Sequence, residues 1–114
     1  TAAITGAWIA LRIATEKMLL AGSITRQPVR ENVAAISCGI WQGMPIADLD
    51  YIEDSNAEID ANFVLSGNGG LVEIQATGEK RPFQRDEMDQ LLDLAEASCK
   101  QLFTLQDGAV RAAL

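Results

Sequence analysis

The chain holds 114 residues, 48% of them apolar and 22% charged, which allows a single core and is too apolar for intrinsic disorder. Nine basic residues against sixteen acidic ones leave a net charge of −7, a balance that by itself argues against a nucleic-acid surface. There is no histidine, so imidazole metal ligands, a histidine general base and Ser–His or Cys–His triads are excluded.

Ile4, Ala7, Trp8, Leu11, Thr15, Met18 and Leu19 recur at helical spacing and predict a first helix over 2–21, with Gly22 at its left-handed stop. Small residues open this helix (Thr1, Ala2, Ala3, Thr5, Gly6), which suits either tight packing or approach of an anion to the helix start. Arg12 interrupts the most apolar run, and no stretch reaches the roughly 20 apolar residues of a membrane helix. No basic-then-apolar leader is visible, and the chain begins with Thr1 rather than Met, as in a processed product, an engineered piece or a truncated reading frame. A loop over 23–32 leads to a β-rich run, Val33 to Trp41, apolar enough to be covered on both faces. Gln42-Gly43 reads as a hairpin turn into a second strand over 44–49. A third strand over 60–65, a turn over Ser66-Gly67-Asn68-Gly69-Gly70 and a fourth strand over 71–76 form another hairpin. After a loop with Pro82, Met88, Leu91, Leu92, Ala95, Cys99, Leu102 and Phe103 mark a long amphipathic helix, with Asp86 and Glu87 favoured in its first turn. Residues after Asp107-Gly108 are expected to fray. The order predicts an α+β fold, helices against one face of a mainly antiparallel sheet, in a single domain over 1–114.

Trp8 and Trp41 are expected in the core or an interface. Cys38 and Cys99 fall on core faces without an activating neighbour, as free thiols of a cytoplasmic protein, although one bridge between them is the other option. The cations Lys80, Arg81 and Arg85 suit either a phosphate contact or neutralisation of the acidic helix start that follows.

The densest chemistry lies between the two hairpins, where Asp48, Asp50, Glu53, Asp54, Glu58 and Asp60 place six acids within thirteen positions. Such density is costly unless water or a cation relieves it. Asp54 and Asp60 are separated by room for a short turn or half-helix, which can bring both carboxylates to one point at the sheet rim. Oxygen ligands without His or Cys suit Mg²⁺ or Mn²⁺. The competing explanation is a solvated acidic loop in which Asp54 or Ser55 caps a helix.

Several stretches taken together resemble the ribonuclease PH family. They are Thr1 to Ala7, Val33 to Ile40, Asp48 to Ser55 with Ala57-Glu58 and Asp60, and Glu73-Ile74-Gln75 with Thr77, Pro82 and Phe83. Their order and spacings agree along nearly the whole chain, and the core Glu53-Asp54-Ser55 with Ala57, Glu58 and Asp60 is the most specific. The resemblance implies a ribonuclease PH-like fold and a phosphate-dependent 3′→5′ exoribonuclease, a nucleotidyltransferase that trims transfer RNA precursors and releases nucleoside diphosphates. It implies a hexameric ring built as a trimer of dimers, with Mg²⁺ or Mn²⁺ as metal and inorganic phosphate as co-substrate.

By the same resemblance, Asp54 and Asp60 match the metal carboxylates and are the catalytic candidates, with Glu58 and Asp48 as weaker ligands. Members of the family are longer. They carry a phosphate-holding Gly-Thr-Arg run directly ahead of the residue that matches Thr1, so Thr1 is at most a marginal phosphate contact. The chain therefore looks like the C-terminal half of such an enzyme, inactive alone and either self-associated or poorly stable. Ala76 stands where the family has glycine, Lys80-Arg81 replaces a more acidic or glycine-containing pair, and the tail after Cys99 diverges. The alternative is a non-catalytic ring subunit of an exosome-like RNA-processing assembly, which would keep the fold without the chemistry. An unrelated acidic metal-binding domain is a third option.

Overall fold

The computed structural model describes residues 1–114; of Tyr51 only the backbone is described. The elements are α1 (Ala2–Leu20), β1 (Val33–Trp41), β2 (Met44–Ala47), α2 (Tyr51–Asn56), β3 (Ile59–Ser66), β4 (Leu71–Gly78) and α3 (Arg85–Ala113). The strands form one antiparallel sheet in the order β2-β1-β3-β4. This is the expected α+β arrangement.

Alternation along the strands sorts the sheet into two faces. Ala34, Ile36, Cys38 and Ile40 of β1 and Ile59, Ala61, Phe63 and Leu65 of β3 meet Leu91, Ala95 and Cys99 of α3 to form the core. The intervening residues Ala35, Ser37 and Gly39 of β1 therefore lie on the opposite face. Across the ladder they stand beside Val64, Asn62 and Asp60 of β3.

Local chemistry ends the elements where the sequence marks them. At the end of α1, Gly22 takes φ +77° and donates to the Leu19 carbonyl, while the Ser23 N–H donates to Met18. These two bonds satisfy carbonyls that the helix leaves open. Gln42 and Gly43 both take positive φ, the twist that a two-residue hairpin needs.

Three expectations are corrected. The second strand stops at Ala47 instead of 49, because Asp48 turns out of the sheet with φ +58°. The predicted tail does not fray: α3 runs on to Ala113, with Gln106 fully buried and Val110 nearly so. Gln106 donates through Nε2 to the carbonyls of Thr5 and Val33 and accepts from Asn32, which ties α3 to α1 and to the start of β1. The apolar stripe of α1 is also mostly outside the core. Trp8 is buried, but Ile4, Leu11 and Met18 are exposed, because α1 packs only against β1 and α3. Trp8 and Arg12 fasten the following loop by donating to the carbonyls of Glu31 and Val29.

Candidate metal centre and active site

After β2 the Asp48 N–H donates to the Ser37 carbonyl at 2.6 Å, which holds the departing chain against β1. Leu49 then lies over Gly39, and a Cβ on Gly39 would come within 2.9 Å of Leu49 Cδ1 and 2.6 Å of the Ile59 carbonyl. Only glycine lets the crossing chain lie so close to the sheet.

Asp50 caps α2. Its carboxylate accepts from the Glu53 N–H at 2.8 Å, and Glu53 accepts from the Asp50 N–H at 3.0 Å. This reciprocal capping box starts a helix of six residues. The cap is therefore Asp50, not Asp54 or Ser55, and Asp54 is not spent on ending the helix. Ala57 is buried, and the Glu58 N–H donates to the Ile40 carbonyl, so the chain re-enters the sheet at Ile59. Since Ile59 faces the core, Asp60 faces away from it, toward α2.

Asp54 and Asp60 are thereby brought together. The Asp60 carboxyl is pushed above its ordinary value, first by burial and then by the charge and hydrogen bonding of Asp54, with a smaller push from Glu79. Two carboxylates that disfavour each other's charge are relieved by a cation between them. The donor set fits Mg²⁺ or Mn²⁺, because such ions are commonly held by one or two carboxylates while waters and substrate phosphate fill the remaining positions. Among the described residues no three His, Cys, Asp or Glu side chains gather into a ready-made metal cage.

The other predicted residues lie apart from this pair. Asp48 is exposed at the chain bend, and its charge is felt at Cys38. The Glu58 carboxylate is committed to Arg81 at 3.2 Å. Thr1 is exposed at the N-cap of α1, with its carbonyl accepting from Ile4 and Thr5 and no capping bond from its side chain. The start of α1 is moored to the sheet by the Ala35 N–H, which donates to the Thr5 hydroxyl.

Arg81 bridges Glu58 and Glu87, so of the two roles open to the Lys80-Arg81 pair it takes neutralisation at the start of α3. Cys38 and Cys99 are free and buried, and burial first, then Cys99 and Asp48, pushes the Cys38 thiol up to about 12. A thiol so raised makes no nucleophile at neutral pH. Gly39, Leu49 and Glu79 were missed from the sequence. Their roles depend on a cross-chain approach that local pattern does not carry.

Residues 31–98 match the 3′ exoribonuclease family, domain 2. The chain is 57% identical over 110 residues to the ribonuclease PH of Caulobacter vibrioides (strain NA1000 / CB15N), covering 96% of this chain and 46% of that protein. It is 53% identical over 109 residues to the ribonuclease PH of Cereibacter sphaeroides (strain KD131 / KCTC 12085), with the same coverage. Against the ribonuclease PH of Methylobacterium radiotolerans it is 51% identical over 110 residues. The chain spans about half the length of these relatives, the share in each being 46%. With residues 31–98 matching its second domain and relatives more than half identical across nearly the whole chain, the chain belongs to the 3′ exoribonuclease family.

Proposed function

We propose that this chain is the metal-bearing C-terminal half of a phosphate-dependent 3′→5′ exoribonuclease acting on the 3′ ends of transfer RNA precursors. The observation that carries this reading is the meeting of Asp54 and Asp60 on the sheet face opposite the core, where burial and mutual charge raise the Asp60 carboxyl.

In phosphorolysis an oxygen of inorganic phosphate bonds to the phosphorus of the last phosphodiester. The bond from that phosphorus to the 3′ oxygen breaks, and a nucleoside diphosphate leaves. Asp54 and Asp60 would hold Mg²⁺ or Mn²⁺, which when bound supplies neutralisation of charge on the scissile phosphate and the leaving oxygen. The protein's own contribution is placement. The capping box starts the short helix that carries Asp54 in its first turn, Asp60 stands on the β1–β3 ladder, and Gly39 lets Leu49 close over the sheet beside it. The first turn of α1, moored at Ala35, offers unpaired N–H groups to an anion near Thr1. The acidic balance of this half is consistent with most phosphate and RNA contacts lying in a preceding half. A hexameric ring, a trimer of dimers, is the assembly proposed for the intact enzyme.

The test follows nucleoside diphosphate release from a 3′-extended transfer RNA by the protein of the complete reading frame, with Mg²⁺, with and without inorganic phosphate. Phosphate-dependent release is expected. In that protein Asp60→Asn should abolish turnover while assembly, read by sedimentation, is unchanged. An unaltered rate would remove the metal assignment. Absence of release from a folded ring would favour the non-catalytic subunit.

A further inference from the structure

One register step along β3 from Asp60 lies a row that the proposed chemistry does not use. Ser37 of β1, Asn62 of β3 and Gln75 of β4 are successive cross-strand partners, and alternation places all three on the Asp60 face. Asn62 stands roughly 6.8 Å along the strand from Asp60, about the reach of one nucleotide. Asn62 and Gln75 are exposed, and Ser37 is half-buried. The Asn62 side chain makes no hydrogen bond among the described residues, while Gln75 donates to Glu73 and keeps its carbonyl oxygen open.

The surroundings of this row decide what it can bind. Asp60, Glu73 and Glu79 make this face anionic, so away from a cation held at Asp60 a phosphate is repelled from Asn62 and Gln75. A ribose is not, since it is neutral and carries hydroxyls that both donate and accept. Side-chain amides offer the same two capacities. The 2′-hydroxyl is also the group that separates RNA from DNA at a given site.

We infer that Asn62, supported by Gln75, binds the ribose 2′-hydroxyl of the nucleotide being removed and so favours RNA over DNA ends. This rests on the proposed phosphorolytic reading and adds a specificity determinant to the same site. Asn62 is exposed and outside the core, so its removal leaves the packing of β3 against α3 in place.

The experiment uses the protein of the complete reading frame and two oligonucleotides that differ only in the terminal sugar, one ribose and one 2′-deoxyribose. Phosphate-dependent release of the terminal nucleotide is measured for wild type, Asn62→Ala and Gln75→Ala. Wild type should prefer the ribose end. Asn62→Ala should lower kcat/KM on the ribose end about three- to tenfold, as expected for one lost hydrogen bond, and leave the deoxyribose rate unchanged. Gln75→Ala should show a smaller loss of the same kind. Equal losses on both substrates would show a structural role and overturn the inference, as would an unchanged preference. Absence of phosphate-dependent release from wild type on either end would instead defeat the underlying reading.

Discussion

Gly39 shows most plainly how a single residue sets the site. It pairs with Asp60 across the ladder, and any side chain there would strike the Ile59 carbonyl at 2.6 Å and Leu49 at 2.9 Å. Gly39→Ala should therefore destabilise the fold by about 1–3 kcal/mol, as overpacking does. Urea unfolding would measure this, and a variant as stable as wild type would show that Leu49 yields freely. Arg81 gives a prediction in pH. Its hydrogen bond to Glu87, helped by the Gln84 N–H, lowers the Glu87 carboxyl to about 2. A carboxyl lowered in the folded state contributes stability above its ordinary value near 4.5, and loses that contribution as pH falls toward about 2. In Arg81→Ala the Glu87 resonance in a carboxyl NMR titration should move its midpoint upward. The stability gap to wild type should close over the same interval. A midpoint unmoved by the substitution would show that the backbone contact alone sets the value. The spacing of Asp54 and Asp60 left two readings open, a carboxylate pair and a solvated acidic loop; in the fold the charge of Asp54 reaches Asp60. Neutralisation of the start of α3 by Arg81 was one of two roles the sequence offered, but its tie to Glu58 was not legible, because it depends on where the 78–82 loop crosses the start of β3.

At the scale of elements, both hairpins were legible, since period-two alternation and the Gln42-Gly43 and Ser66–Gly70 turns are local signals. The end of α3 was not. Asp107-Gly108 reads as a stop, yet the helix continues for 29 residues in all, because Gln106 and Val110 are buried beyond Phe103. Gln106 closes the edge of β1 that β2 leaves open. The Val33 carbonyl takes the Gln106 amide, the Ala35 N–H finds Thr5, and the Ser37 carbonyl finds the Asp48 N–H. Gln106→Leu would leave the Val33 carbonyl without a partner, at a cost of about 1–3 kcal/mol, and would remove the tie to Thr5, whose carbonyl keeps its bond within α1. Thermal melting and hydrogen exchange at the start of α1 should both report the loss. Full protection there in the variant would show that packing alone holds α1.

The whole molecule is extended, 54 × 25 × 17 Å, with a radius of gyration of 16.4 Å where a compact chain of this length would have about 13 Å. Leu11, Met18 and Leu20 on α1 and Leu71, Val72 and Ile74 on β4 remain exposed, and β4 is a sheet edge. Apolar surface beside an open strand edge favours association. Residues 1–114 alone should sediment as concentration-dependent oligomers, and Val72→Lys should shift them toward monomer. A monomer at every concentration would show that this surface is tolerated in water. The sequence by itself determined the two long helices, the two hairpins and the family resemblance, because each is written in residues near one another along the chain. Only the tertiary structure decided which side of the sheet Asp60 faces, that Asp50 caps α2 and leaves Asp54 available, and that α1 hides little beyond Trp8. Those outcomes follow from register, from close approach at Gly39 and from what each helix finds to pack against, and they exist only once distant segments have met.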